Sequence, residues 1–505
     1  MERRPTSRAT IHLKVAFVTP EFQSLVRRTS LAEISEYLPR ALAREGADVT
    51  VFLPFTKEIE TDKLSDFGQR GEVCVSDGDR RVTLSLQQGR LGDLQIVLVG
   101  HDGLFRSRHP YGDDNGPYPD NWRRYAIFSR AVLESFDRLG MTPDILHCMD
   151  WTTGLIPVYH KLEYGANIEG HPTERAGTFF GVHNLAMQGS FERSILPKIR
   201  ISHEYFRAID GIELGGKVNY LKAGAEFATI VGTHSPAHVE SVQNSERGDG
   251  LDKSFRRRKK ELVGIVNGID YRAWDPTNDP LLPQEFGTHD TELAGKKRCK
   301  AHLQASLKLD NGPRTPLICI IGRFDSDSGF DILAEALIPI LERNVQLVMM
   351  GPGQPNILER MRNVESNFTA RCRVIEGYHL GTAHALMGGA DILMMPAHYN
   401  PSSALCAIAM RYGVTSIAYA HGGLQDLIVD HARSPSTGTG FTFHAYTTES
   451  LLDGLDNVRN LYKKPTEWRD MVHRCLGQDF SWRESARNYL KAYRRVTRRI
   501  RGRKS

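Results

Sequence analysis

Apolar and polar positions along the chain alternate between short apolar runs and longer amphipathic stretches. Residues 13–19 (LKVAFVT) are an apolar run, a loop follows, residues 31–46 (LAEISEYLPRALAREG) carry apolar positions at helical spacing, and 49–53 are apolar again. That order predicts a strand, a helix and a second strand parallel to the first. Further strands are predicted at 94–99, 145–147, 178–182 and 230–233, with helical stretches such as 122–139 between them. The alternation restarts after Asn267, with strands at 317–321, 346–350, 373–375, 391–395 and 415–418 and a helix over 331–342. The pattern is that of an α/β protein with two Rossmann-like, doubly wound domains.

The polar, charged stretch 241–260 reads as a surface loop rather than a linker, which places the domain junction at 264–270. The expected division is 1–265, 266–480 and a final segment, 481–505. In that segment Ala486, Tyr489, Leu490 and Tyr493 repeat at helical spacing, so the helix could fold back across the junction ahead of a basic tail. There is no internal repeat or low-complexity tract.

Composition narrows the class. A chain of 505 residues, 40% hydrophobic and 25% charged, exceeds one ordinary core and supports two or three domains. No run approaches the roughly 18 to 20 apolar residues of a membrane span, and the basic start MERRPTSRATIHL lacks an apolar signal core, so a soluble cytoplasmic protein is expected. Seven scattered cysteines without CxxC spacing read as reduced packing residues and give no metal site. The net charge of +5 is uneven, with a basic run at Arg256, Arg257, Arg258, Lys259 and Lys260 and an arginine-rich tail from Arg494. Both read as solvated faces, because no aromatic interleaving or nucleic-acid-binding motif accompanies them.

Candidate chemistry lies in the loops after the strands, where open α/β sheets bind ligands. His147, Asp150 and Trp151 (HCMDW) follow one predicted strand, and His183, Asn184, Gln188 and Gly189 (HNLAMQG) follow another. Gly377 and Tyr378 end a third, while Gly422, Gly423, Leu424 and Asp426 (GGLQD) precede a predicted helix whose N-terminal N–H groups would suit an anion. Each motif alone is weak: a histidine after a strand is often a core residue, and two glycines before a helix are often a turn. Their order on two βα-rich halves carries the signal.

To these are added GPYPDNWRRYAIFSRA at 116–131, VNYLKAGAEFATIVGTHSP at 218–236, LVGIVNGIDYRAWDPTNDPLLP at 262–283, TGTGFTF at 437–443 and QDFSW at 478–482. With these strings the chain, from about Lys14 to Arg494, resembles the bacterial glycogen synthase and plant starch synthase family. The resemblance implies a GT-B fold, two Rossmann-like domains facing across a cleft, with residues 1–265 on the acceptor side and 266–480 binding the nucleotide sugar. It implies a retaining transfer of glucose from ADP-glucose to the non-reducing end of an α-1,4-glucan. Nucleotide sugar and glucan are the expected partners, with no cofactor, no metal, no nucleic acid and no membrane.

Position by position, the resemblance implies that Asp150 and His183 surround the reacting glucose and that Asn267 lines the cleft. Tyr378 would lie against the nucleobase, Arg323 at the diphosphate, and Gly422 and Gly423 near the pyrophosphate. The family's amino-terminal donor loop, Lys-Thr-Gly-Gly-Leu, aligns with Arg27, Arg28, Thr29, Ser30 and Leu31. Thr29 and Ser30 add side chains where a bare backbone is expected, and Arg27 replaces a compact ammonium with a planar fork. Met149 and Thr152 replace histidines of the family.

The larger departures lie in GRFDSDSGFD (322–331) and PAHYNPSSA (396–404). Ser328 stands where the family has a lysine for the diphosphate, and Asn400 where it has a glutamate for the sugar, followed by Ser402 and Ser403 in place of Cys-Gly. In a metal-free retaining transfer the departing diphosphate gains negative charge while the sugar becomes oxocarbenium-like, so fixed charges matter at both places. Loss of one such group typically costs about 10² to 10³ in rate, and two losses need not add. Three readings follow: a synthase-like transferase whose activity is weakened or lost, an inactive glucan-binding or regulatory protein of the same fold, and a transferase for a different nucleotide sugar.

Overall fold

In a computed structural model of the protein, residues 12–326, 328–397 and 403–502 are described. They form two compact units: Met1–His234 with Val239–Ile265 and Trp482–Ser505, and Ser235–His238 with Val266–Ser481.

Among the described residues, nine strands form the sheet of the first unit: β1 (Lys14–Val18), β2 (Asp48–Pro54), β3 (Ser65–Asp77), β4 (Arg80–Leu91), β5 (Leu94–Gly100), β6 (Ile145–Met149), β7 (Gly177–Gly181), β8 (Ile230–Thr233) and β9 (Leu262–Gly264). Their spatial order is β9-β8-β7-β6-β1-β2-β5-β4-β3. From β9 to β5 every pairing is parallel, with Lys14↔Asp48 and Val15↔Ile145 setting the register of β1 against its neighbours. The central strands are buried along nearly their whole length, as expected of a sheet covered on both faces. The chain leaves β1 toward β2 and β6 toward β7, in opposite directions along the sheet, which makes the carboxyl ends of β1 and β6 a switch point.

The antiparallel pair β3 and β4 was not anticipated. Few of its positions are buried, and the periodic apolar signal that reveals an inner strand is correspondingly faint. The stretch 241–260 is also more ordered than a loop: the helix Asp252–Arg257 forms, with Leu251 and Phe255 buried. The three arginines of its basic run are bonded within the unit, while Lys259 and Lys260 are exposed. Arg256 pairs with Asp252, Arg257 with Glu226, and Arg258 donates to the carbonyl oxygens of Ala225 and Ala228.

The C-terminal helix, Trp482–Gly502, packs on this unit through Trp482, Ala486, Tyr489, Leu490, Tyr493 and Val496. A Cβ at Gly177 would come 2.2 Å from Val496 Cγ1, so a glycine in β7 is what lets the helix approach. Arg483 and Arg487 anchor its first turns to Glu45, just beyond the helix Leu31–Arg44. His147, a site candidate by sequence, belongs to this core. Its ring bonds Tyr493 Oη (2.5 Å) and contacts Met149 Sδ (3.0 Å), and burial pushes its pKa down to about 3.

The second unit holds β10 (Leu317–Ile321), β11 (Gln346–Gly351), β12 (Cys372–Glu376), β13 (Ile392–Met395), β14 (Thr415–Tyr419) and β15 (Gly440–Phe443), all parallel, in the order β12-β11-β10-β13-β14-β15. This is the 3-2-1-4-5-6 order of dinucleotide-binding sheets, with its switch point between β10 and β13. The string WDPTNDPLLP proves to be packing: Trp274 stacks on His384 at 4.0 Å, and Asp279 Oδ2 accepts hydrogen bonds from His384 Nδ1 (2.7 Å) and Tyr412 Oη (2.6 Å). Six of the seven cysteines are buried and Cys74 is exposed.

Candidate functional site

In the first unit the loops at the switch point meet. After β1 the chain turns through Glu21, fully buried, whose carboxylate organises the segment up to the helix Leu31–Arg44. Oε2 accepts from the backbone N–H of Arg28 (2.6 Å) and of Thr29 (2.7 Å), while Oε1 accepts from Thr29 Oγ1 (2.7 Å) and Tyr111 Oη (2.6 Å). Thr29 therefore turns its hydroxyl back into the loop. Ser30 precedes the helix with φ −65° and ψ −13°, a backbone any residue adopts, and its Oγ lies 2.9 Å from Nε2 of His183. Arg27 is exposed at the bend, and Arg28 pairs with Glu58.

Asp150 ends β6 at φ 56° and ψ −174°, a backbone uncommon for a residue with a Cβ. Its Oδ1 accepts from the N–H groups of His183 (2.6 Å) and Asn184 (3.3 Å), which ties the β6 loop to the β7 loop. Oδ2 makes no hydrogen bond among the described residues and can accept from a bound hydroxyl. Burial raises the pKa of Asp150 to about 7, against the lowering effect of those two N–H groups, with the charge of Glu21 adding to the rise. His183 is held in turn by His234, whose Nε2 bonds the His183 carbonyl oxygen at 2.6 Å with the rings 4.9 Å apart.

The first unit thus brings Thr29, Ser30, Asp150 and His183 together and adds three residues that sequence reasoning missed: Glu21, Tyr111 and His234. Position after a strand end was a usable signal for Glu21. Nothing local marks Tyr111, which arrives from a distant loop.

In the second unit the two altered stretches leave the carboxyl ends of β10 and β13, on either side of the switch point. Arg323 projects into solvent with its side chain 79% exposed, and only Nε is bonded among the described residues, to Asp325 (3.0 Å). The Ser328 N–H donates to the other oxygen of Asp325 (3.0 Å). Burial raises the Asp325 pKa, but the hydroxyl and N–H of Ser328 together with Arg323 outweigh it, and the carboxylate is held below its ordinary value. Gly329 has φ +88°, and a Cβ there would lie 2.4 Å from the carbonyl oxygen of Pro396, so the two stretches touch through a glycine. Asn400 and Ser402 lie outside the described residues.

Ser403 opens the helix Ala404–Arg411, and its Oγ would be 3.1 Å from a Cβ on Gly423. Gly422, at φ 54°, leads into Gly423–Leu427, a single turn rather than a full helix, so its dipole offers an anion less than the sequence suggested. Gly377, at φ 82°, donates its N–H to Gly351 and leaves the neighbouring Tyr378 56% exposed, an unusual setting for a large ring. Asn267 is half-buried beside Ile269, whose N–H bonds the Phe480 carbonyl at 2.9 Å. Among the described residues no group of three or more His, Cys, Asp or Glu is placed to hold a metal, and no helix is long and apolar enough to cross a membrane.

Comparison with known proteins places these loops in context. A family model described as "Starch synthase catalytic domain" matches residues 14–257, and "Glycosyl transferases group 1" matches 315–459. The glycogen synthase of Geotalea daltonii is 34% identical over 485 residues, 96% of this chain and 99% of the relative. That of Geotalea uraniireducens is 33% identical over 483 residues, 95% of this chain and 98% of the relative. The catalytic domain of starch synthase IV from Arabidopsis thaliana, solved with ADP and acarbose, matches with a TM-score of 0.81 at 28% identity, covering 96% of this chain and 99% of that one. Sucrose-phosphate synthase from Thermosynechococcus elongatus shares the fold alone, at a TM-score of 0.55 and 15% identity. With two sheets built mainly of parallel strands, a fold of the GT-B type, and these relatives along nearly its full length, the chain belongs to the glycogen and starch synthase family of glycosyltransferases.

Proposed function

We propose that the protein transfers glucose from ADP-glucose to the non-reducing end of an α-1,4-glucan with retention, at a rate well below that of a synthase with the family's lysine and glutamate in place. The observation that supports it is the Asp150–His183 pair: a strained, buried aspartate bonded to the His183 N–H, with one carboxylate oxygen left for a sugar hydroxyl. In this reading Asp150 and His183 hold the reacting sugar. The exposed guanidinium of Arg323 meets the diphosphate, as a fork able to bond two oxygens. Gly422, Gly423, Ser402 and Ser403 border the pyrophosphate, Tyr378 offers its face to the base, and Arg27, Thr29, Ser30 and Asn267 complete the donor surroundings. Ser328 and Asn400 supply hydrogen bonds but no charge, which weakens stabilisation of the leaving group and of the positive sugar ring.

ADP release from ADP-glucose, with glycogen as acceptor, tests this directly. Slow, glycogen-dependent release is expected. The double variant Ser328→Lys with Asn400→Glu should raise it by about 10² or more, and a variant no faster than the wild type contradicts the account of these positions. A second reading, a glucan-binding protein without turnover, is favoured by the concentration of changes at Thr29, Ser30, Ser328 and Asn400; glycogen retention with no ADP release would support it. Release of a different nucleoside diphosphate from another nucleotide sugar would redirect the donor assignment.

A further inference from the structure

Thr29 and Ser30 were expected to intrude on a ligand, yet both side chains are bonded within the protein. Thr29 Oγ1 is 2.7 Å from Glu21 Oε1, and Ser30 Oγ is 2.9 Å from Nε2 of His183. Glu21 receives four hydrogen bonds, two on each oxygen, and two of them come from the backbone of the residues preceding Ser30. Its carboxylate is thus the mould on which the loop sets. The ring of His183 also makes a T-shaped contact with His234, and the backbone N–H of His183 is committed to Asp150. Glycines at 29 and 30 could make neither side-chain bond.

We propose that Glu21, Thr29 and Ser30 form a latch: Glu21 positions the loop, and the Ser30 hydroxyl occupies the ring nitrogen through which His183 would meet a sugar. Resting on the assignment of His183 to the sugar, the latch makes Ser30 a residue that sets donor affinity, since a sugar hydroxyl reaches Nε2 by displacing the serine. Either tautomer of His183 supports the bond, because a hydroxyl both donates and accepts. Glu21 is a positioning residue that acts through the loop.

The backbone at Ser30 is ordinary αR, so Ser30→Ala deletes the hydroxyl without strain. In the ligand-free full-length chain, the ¹⁵N resonance of His183 Nε2 should move in Ser30→Ala, and in the same direction, by less, in Thr29→Val. Binding of ADP-glucose should tighten about two- to tenfold in Ser30→Ala, the value of one modest hydrogen bond, and KM should fall with it. An unmoved His183 resonance, with ADP-glucose bound equally by both proteins, overturns the latch and leaves the donor reading standing. Weaker binding in Ser30→Ala also overturns it, because the hydroxyl would then be serving the ligand. A moved resonance with no nucleotide sugar bound by either protein defeats the donor reading and the competition with it, and leaves only the Ser30–His183 bond.

Discussion

Asp150 concentrates the chemistry of the first unit in one residue, and its titration gives a measurable consequence. Burial raises its pKa to about 7 in the folded chain, above the ordinary value near 3.8. Between those values the folded state binds more protons than the unfolded state, so stability is full at low pH and declines as pH rises toward 7. Asp150→Asn keeps the oxygen that accepts from His183 and Asn184 but removes the titration. Denaturation midpoints of wild type and variant should therefore diverge from pH 4 to pH 7, the variant gaining on the order of 3 kcal/mol; parallel curves would show that Asp150 ionises normally. Gly329 makes a second residue-scale prediction. Its φ is +88° and a Cβ would sit only 2.4 Å from backbone, so Gly329→Ala should cost about 2 kcal/mol or more, read from the unfolding of the second unit.

At the scale of elements, the family strings separate into those that hold loops in place and those that present groups to a ligand. Asp279, inside WDPTNDPLLP, is buried and accepts from both His384 and Tyr412, so it clamps the loop before the helix Ala294–Ser306 to the helices Leu380–Gly389 and Ala404–Arg411. Asp279→Ala leaves two buried donors without their acceptor and should destabilise by about 2–4 kcal/mol. Asp279→Asn, which retains an oxygen, should lose less, and equal losses in chemical denaturation would mean that the space matters rather than the bonds. In each unit the first strand and the helix that follows it, Leu31–Arg44 and Phe330–Glu342, were legible because apolar periods of 2 and 3.6 rarely coincide by chance, whereas the helix Ala294–Ser306 was not anticipated. The exposed hairpin of β3 and β4 carries little such signal. The helix Asp252–Arg257 was obscured by its own charges, which find partners only once Glu226 and the Ala225 and Ala228 carbonyls are brought alongside.

For the whole molecule, the division of the chain is uneven in sequence. Apart from Ser235–His238, the second unit is continuous and carries its own complete sheet, whereas the first is completed by Trp482–Gly502. Residues 266–481 expressed alone should unfold cooperatively. Residues 12–265 alone should not, because removing the helix strips the Tyr489, Tyr493 and Val496 contacts from β7 and leaves His147 without the Tyr493 hydroxyl. Circular dichroism melts of the two fragments, with the helix supplied as a peptide to the second, check this; a sharp melt of 12–265 without the peptide would contradict it.

What the sequence determined by itself was periodic or local: two βα alternations, the family strings and the identity of the altered residues Ser328 and Asn400. Tertiary structure decided which of the marked residues meet. His147 and His183 look alike in the chain, each following or ending an apolar run, yet one is sealed against Tyr493 and the other faces Ser30. Glu21 and Tyr111, 90 positions apart, become partners through a single carboxylate. Parallel sheets impose this, because their neighbouring strands are joined by long crossovers. Residues that share a site at the strand ends are therefore far apart in the chain, and no window of sequence contains their contact.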